Sequence, residues 1–466
     1  MADDQFFTDK LGTHVRTVVA EAAVLPQGVR PALITIDDDG RIGSVTELEA
    51  VTRAQREHAD LVVAGDLTLM PGGVDTHVHL NEPGRTQWEG FATGTRAAAA
   101  GGVTTVVDMP LNSIPPTVSV DALETKRRAA RGQLTVDTGF WGGATPSSLG
   151  QLESLWHAGV AGFKCFTADS GVPEFPPLDS DQLVTAMREI AAFNGLLIVH
   201  AEAPEHLVAE PAASSRFLDF VASRPERAEV EAIRTVVEGV RRTGCRTHIL
   251  HLSAAAALDL VADAKDEGLP LTVETCPHYL TLDAETVPDA APQFKCCPPV
   301  RDAGNQEALW EALGLGVIDV VVSDHSPATA AEKSAGGGDL MRAWGGISGL
   351  QVGLSLTVSA ALSRGLTLED VSRWTARGPA DLAGMSDRGR LTPGASADFA
   401  VWDPTHEWTV EVNRLEHKNP ISAYDGMPLR GAPVLTILRG AVTSVRDREG
   451  AVLTPRPGGR EILLRH

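Results

Sequence analysis

The chain has 466 residues, 43% of them hydrophobic, enough to bury a large core and to build more than one domain. Its 61 acidic against 40 basic side chains give a formal charge of -21, spread along the sequence, which argues against nucleic acid or an anionic membrane surface as partner. No run of about 18 apolar residues exists, so no membrane-spanning helix is expected.

At the N-terminus, "MADDQFFTDK" is acidic and polar where a signal peptide would be basic and then apolar. The five cysteines, Cys165, Cys245, Cys276, Cys296 and Cys297, contain no C-x-x-C pair, and the adjacent two cannot easily bridge. A reduced, cytoplasmic protein is therefore expected.

The first elements, "PALITIDDDGRIGSV" and "DLVVAGDLTLMPG", are hairpin-like, with an Asp-Gly turn. From Val74 onward, short β-rich runs alternate with helical stretches. In order the strands are "VDTHVHL", "VTTVVDMP", "LTVDTGFWGG", "AGFKCFT", "LLIVHAE", "THILHLS", "LTVETCPHYL" and "VIDVVVSDHSP". Between them, alanine-rich segments such as "WEGFATGTRAAAAG" and "SDQLVTAMREIAAFNG" carry the 3.6-residue period of amphipathic helices. Eight strand–helix repeats predict a (β/α)8 barrel of the α/β class over residues 71–389. A doubly wound open sheet is the alternative, but no G-x-G-x-x-G or P-loop follows the first strand. After about Arg390, "GRLTPGASADFAVWDP" and "VLTILRGAVTSV" are again short strands. Residues 1–70 and 390–466 are expected to form one composite β-sandwich domain beside the barrel.

Chemistry in such barrels sits at the C-terminal ends of the strands. In "GGVDTHVHLNEPGR", His77 and His79 leave the same face of the first strand, because residues i and i+2 share a face. The fourth strand carries Lys164, the fifth ends with His200, the sixth with His251 and the eighth with Asp324. His248 lies three residues before His251 and on the opposite face, so His251, nearer the strand exit, is the better candidate. Each of the six follows an apolar run, where an unpaired polar side chain is costly.

Four imidazoles and a carboxylate suit a borderline divalent metal such as zinc. A lysine ammonium would repel that metal. Lys164 fits if it has added CO2 to become a carbamate (N6-carboxylysine), an anion with two oxygens able to bridge two ions. Two divalent ions would otherwise leave a buried excess of charge that neutral imidazoles cannot remove.

The set "DTHVH", inward "FK", "VHAE", "HLS" and "SDHSP" resembles the amidohydrolase superfamily, in its cyclic-amidase branch of allantoinases, hydantoinases or dihydropyrimidinases, and dihydroorotases. Within the branch, "HLNEPGRTQWEGF", "VVDMPLNSIPPT", "GFKCFTADSGVPEFPPL", "FKCCPPVR" and "AWGGISGLQ" are most similar to allantoinases. This resemblance implies a binuclear centre: His77, His79 and Asp324 on the more buried ion, His200 and His251 on the other, carboxylated Lys164 bridging both. Zinc is the first expectation, with Mn2+, Co2+ or Fe2+ as alternatives. A water bridging the ions would attack the ring carbonyl, with Asp324 moving its proton to the departing nitrogen.

The resemblance also bears on substrate. Similar dihydroorotases carry an arginine two positions after the second histidine, for the substrate carboxylate, where this chain has Asn81. A neutral ring such as allantoin is the expected small-molecule partner. By family position, Asp169, Ser170, Cys297 and Ser348 are further candidates for substrate contact. A hydantoinase or dihydropyrimidinase is the next reading, then a dihydroorotase, and last a non-catalytic scaffold, which the six filled ligand positions disfavour. A homotetramer is expected by analogy alone. His278 in "TCPHYL" is either pocket-lining or structural, His325 is read as a partner behind Asp324, and "HKNPISAYDG" as a structural loop.

Overall fold

The protein is described by a computed structural model over residues 10–447, 450–454 and 457–464. All but the last residue of the acidic N-terminal stretch lies outside the described residues.

Strands β1 (Thr17–Leu25) and β2 (Gly28–Ile36) form an antiparallel hairpin, and β3 (Ile42–Glu47) extends it. The Asp37–Gly40 turn between β2 and β3 needs its glycine, since Gly40 has φ 77° and a Cβ there would lie 2.6 Å from that of Arg439. Short β4 (Leu61–Val63) runs parallel to β1, and β5 (Thr68–Pro71) leads through Gly72 into the barrel.

The barrel strands are β6 (Gly73–Val78), β7 (Val103–Asp108), β8 (Asp137–Phe140) with β9 (Gly142–Gly143), β10 (Phe163–Phe166), β11 (Leu196–His200), β12 (Arg246–Ile249), β13 (Leu271–Thr275) and β14 (Val320–Val321). Each hydrogen-bonded neighbour is parallel. β8 and β9 are halves of one strand, broken at Trp141, whose indole donates to the Thr76 carbonyl at 2.8 Å. Past β14, Val78 bridges to His325 and the His79 amide donates to the His325 carbonyl at 2.8 Å, which closes the ring.

The eight strands fall on the predicted β-rich runs, except that the seventh ends at Thr275. Its expected continuation lies in the helical turn Pro277–Thr281, because Pro277 takes the first position of that turn. Every residue of β6, β7, β10 and β11 is buried, because helices cover the outside while side chains fill the inside. One such helix, Ser180–Ala192, starts at a capping box: the Asp179 carboxylate accepts the Asp181 and Gln182 amides, and the Gln182 side chain accepts the Asp179 amide. It buries Leu183, Ala186, Met187 and Ile190, one face at helical spacing.

The chain returns as β15 (Phe399–Thr409), β16 (Pro428–Leu438), β17 (Ala441–Arg446) and β18 (Val452–Leu453). These join the N-terminal strands in one sheet, ordered β18-β17-β16-β15-β5-β1-β2-β3, with β4 beside β1. The seam is antiparallel β5–β15, from Phe399 opposite Pro71 to Trp402 opposite Thr68. Val18, Ile34, Leu61 and Leu69 from one end pack with Phe399, Leu435 and Val445 from the other. Each such side chain, fully buried, contributes about 1.5–3 kcal/mol. All five cysteines are unpaired, four of them buried. No helix among the described residues is long and apolar enough to cross a membrane.

Candidate active site

His77 is the penultimate residue of the barrel's first strand and His79 follows its last, Val78, with their ring centroids 5.6 Å apart. Asp324 stands just past β14, its Oδ1 3.2 Å from His77 Nε2 and 3.8 Å from His79 Nε2. The ligand atoms of these three all lie within 4.8 Å of one another, so they could hold one divalent ion. Beside them, His200 Nδ1 and His251 Nε2 face each other at 3.0 Å. Lys164 Nζ reaches to 3.4 Å from His77 Nε2, and the His77 and His251 rings are 5.3 Å apart. Six residues from five strands thus meet on one floor.

His251 and Asp324 both have left-handed backbone, φ 34° and 41°. Non-glycine residues pay about 1–3 kcal/mol for this, and such strain concentrates at functional sites. At His251 the conformation is held by its own amide, which donates to Glu274 Oε1 at 3.1 Å.

Outer partners fix the imidazoles. Glu274, on β13, lies 2.5 Å from His77 Nδ1 through Oε1 and 3.0 Å from His248 Nε2 through Oε2. His248 is therefore a structural partner, while His251 joins the floor. Glu202 takes His200 Nε2 at 2.8 Å and is itself gripped by both arms of the Arg224 guanidinium. The Asn112 amide lies 3.3 Å from His79 Nδ1. With Nδ1 of His77 and Nε2 of His200 committed outward, the opposite nitrogens face the cavity. Sequence reading missed Glu274, Glu202 and Arg224. Glu202, two residues after His200, and Glu274, a carboxylate inside an apolar strand, were the available signals.

The electrostatics agree with a ligand set. Burial drives His77, His79 and His251 well below the usual imidazole range, assisted by the Lys164 ammonium, and lowers His200 as well. Neutral imidazole is the form that binds metal. Burial raises Asp324 to about 8, against the pull of Lys164, and raises Glu274 to about 8. Burial also lowers Lys164 to about 8. Burial would raise Glu202, but the Arg224 guanidinium and His200 hold it down at about 2.

The floor opens into a cavity of about 570 Å3. Asp169, Ser170 and Cys297 lie on its wall, as does Arg224. Asn81 and Ser348 do not wall the cavity. Asn81 is only 1% exposed, and neither its oxygen nor its nitrogen has a hydrogen-bond partner. Its backbone is left-handed, with φ 62°. Ser348 follows Ile347, whose backbone bridge to His325 draws the segment into the packed rim. His325 is committed at both ring nitrogens, Nε2 to Glu89 at 3.2 Å and Nδ1 to the Gly349 amide at 3.1 Å. His278 is buried away from the cavity wall.

The profile of the amidohydrolase family matches residues 68–443. The chain is 52% identical to the allantoinase of Streptomyces avermitilis, over 90% of this chain and 92% of that one. It is 41% identical to the allantoinase of Saccharomyces cerevisiae, over 95% and 97%. The solved L-hydantoinase (dihydropyrimidinase) of Arthrobacter aurescens superposes with a TM-score of 0.87 at 30% identity, covering 96% of this chain and all of the other. A barrel with its histidines, lysine and aspartate on one floor, matched by family profile, sequence and fold alike, belongs to the amidohydrolase family.

Proposed function

We propose that this protein is an allantoinase, opening the hydantoin ring of allantoin to allantoate by hydrolysis of a cyclic amide C–N bond. The observation that carries the reading is 52% identity to an allantoinase over nine-tenths of both chains. His77, His79 and Asp324 would hold one divalent ion, His200 and His251 the other, with Lys164 as a carbamate between them. The donor set fits. His200 Nδ1 and His251 Nε2 approach to 3.0 Å while Glu202 occupies the other nitrogen of His200, so these two ring nitrogens would be available together to one ion. Mixed imidazole and carboxylate ligands favour zinc among the divalent metals.

Two divalent ions bound by these residues would supply an acidified water and a Lewis acid for the ring carbonyl. The protein's residues do the rest. Asp324, beside His77 and His79, takes a proton from the attacking water and passes it to the leaving ring nitrogen. Glu274 and Glu202 hold the imidazoles through that transfer. Asp169, Ser170 and Cys297, which line the cavity, are the side chains we read as meeting the substrate. The Ser170 hydroxyl donates to the Phe175 carbonyl at 2.6 Å, so its part is to shape the loop as well as to touch substrate. A cytoplasmic homotetramer is the assembly and location we assign.

The test is the order of kcat/KM for allantoin, hydantoin, dihydrouracil and dihydroorotate. Allantoin should lead by more than about a hundredfold. Hydantoin or dihydrouracil ahead of allantoin would move the assignment to a hydantoinase, whose fold this chain shares.

A further inference from the structure

We infer a second cation site that shares Asp324 with the active-site floor, formed by Cys276, His278 and Asp324, which takes a thiophilic divalent ion and inhibits the enzyme by engaging Asp324. One ligand atom from each of the three lies within 4.8 Å of the others, and all three residues are buried. Cys276 follows the last residue of β13, and His278 lies in the helical turn Pro277–Thr281 directly after it. The His278 ring, 0% exposed, packs edge-on to Tyr279 with centroids 4.2 Å apart.

An independent observation points to a ligand there. Neither ring nitrogen of His278 has a hydrogen-bond partner, although the ring is fully buried. Leaving a buried polar atom unpaired costs free energy, and each such atom calls for an ion or a water. Burial holds His278 at about 3, so the ring is neutral and ready to donate a lone pair. The ligand chemistry then selects the ion. A thiolate with an imidazole and a carboxylate prefers zinc-like or cadmium-like cations over Mg2+, Ca2+ or Mn2+. On binding, the Cys276 thiol exchanges its proton for the metal and the proton passes to solvent; no oxidant or reductant is needed.

Asp324 is common to this group and to the set with His77 and His79. A carboxylate has two oxygens and can be shared, but an ion held by Cys276 and His278 competes for its charge and orientation. Excess thiophilic metal should therefore inhibit without displacing the resident ions. The inhibition rests on the role proposed above for Asp324; the binding rests on the cluster alone.

The experiment titrates the metal-loaded enzyme with Cd2+, following thiolate-to-cadmium charge-transfer absorption, turnover and total metal content. We expect one cadmium per chain above the resident metals, a charge-transfer band, and loss of turnover in step with it. Cys276→Ser and His278→Gln should keep basal turnover, while the half-inhibitory cadmium concentration rises roughly tenfold or more. The band should vanish in Cys276→Ser. Equal inhibition of Cys276→Ser and wild type would overturn the site. So would loss of the band in Cys297→Ser, since Cys297 is the thiol on the cavity wall. Release of resident metal as cadmium binds would also refute it. A band that depends on Cys276, with turnover unimpaired, would overturn the inhibition and the part given to Asp324.

Discussion

Lys164 shows how much one side chain is asked to do. Its Nζ lies among imidazoles, 3.4 Å from His77 Nε2 and 4.9 Å from the Phe166 ring centre, and the residue is 1% exposed. If it bridges metals as a carbamate, Lys164→Ala should lose bound metal and activity together, and short carboxylic acids should restore part of both. Elemental analysis checks this, and about two metals per chain retained in the variant would remove the bridging role. Asp324→Asn tests the proton shuttle. An amide can still offer one oxygen to metal but cannot take the proton, so kcat should fall by about 10²–10⁴ with a smaller change in KM. Steady-state kinetics on metal-matched samples decide it. Both ring nitrogens of the neighbouring His325 are already engaged, so that side chain is not a ready substitute. Asn81 is buried outside the cavity lining with an unpartnered amide, and an arginine at this position would be an unpaired buried charge.

At the scale of elements, the floor depends on what anchors the strand ends. Asp108, the last residue of β7, accepts the Leu80 amide at 2.7 Å and the Lys126 ammonium at 2.6 Å. Lys126 comes from the helix Val120–Ala130 and also donates to the Met109 carbonyl at 2.8 Å. One buried ion pair therefore ties a barrel helix to the segment that follows His79. Lys126→Met would strand the Asp108 carboxylate in the core, and breaking such a pair costs about 3–5 kcal/mol. A lowered urea midpoint should be accompanied by weaker metal retention. The double variant Lys126→Met with Asp108→Leu should recover much of the stability, because the loss comes from the unpaired charge. If the single variant matched wild type, the pair would not be anchoring this segment.

For the molecule as a whole, β5 and β15 decide whether the two ends act together. We read residues 1–70 and 390–466 as one unit, since β15 pairs with β5 and the core beneath draws on both ends. A chain ending at Arg390 would uncover Val18, Leu61 and Leu69, which are fully buried in the intact protein, and leave the β5 edge unpaired. It should be insoluble or aggregate on expression, whereas adding residues 391–466 as a separate chain should rescue part of the soluble material. Size-exclusion chromatography reports the outcome. A soluble, metal-loaded, active truncation would show that the barrel stands alone.

The sequence by itself determined the strand order and the identity of the six floor residues, because both rest on short-range rules. Alternation places His77 and His79 on one face, and an apolar run ending in a single polar residue marks a strand exit. His251 over His248 could be chosen on the same ground. Tertiary structure alone decided what stands behind them. Glu274 joins His77 to His248 across sequence separations of 197 and 26 residues, and Arg224 reaches Glu202 from 22 residues away. No periodicity encodes such pairings, which depend on barrel closure. The left-handed backbone at Asn81 likewise cannot be read from alternation. Asp169 and Ser170 reached the cavity wall because their loop directly follows a strand whose exit the sequence already marked.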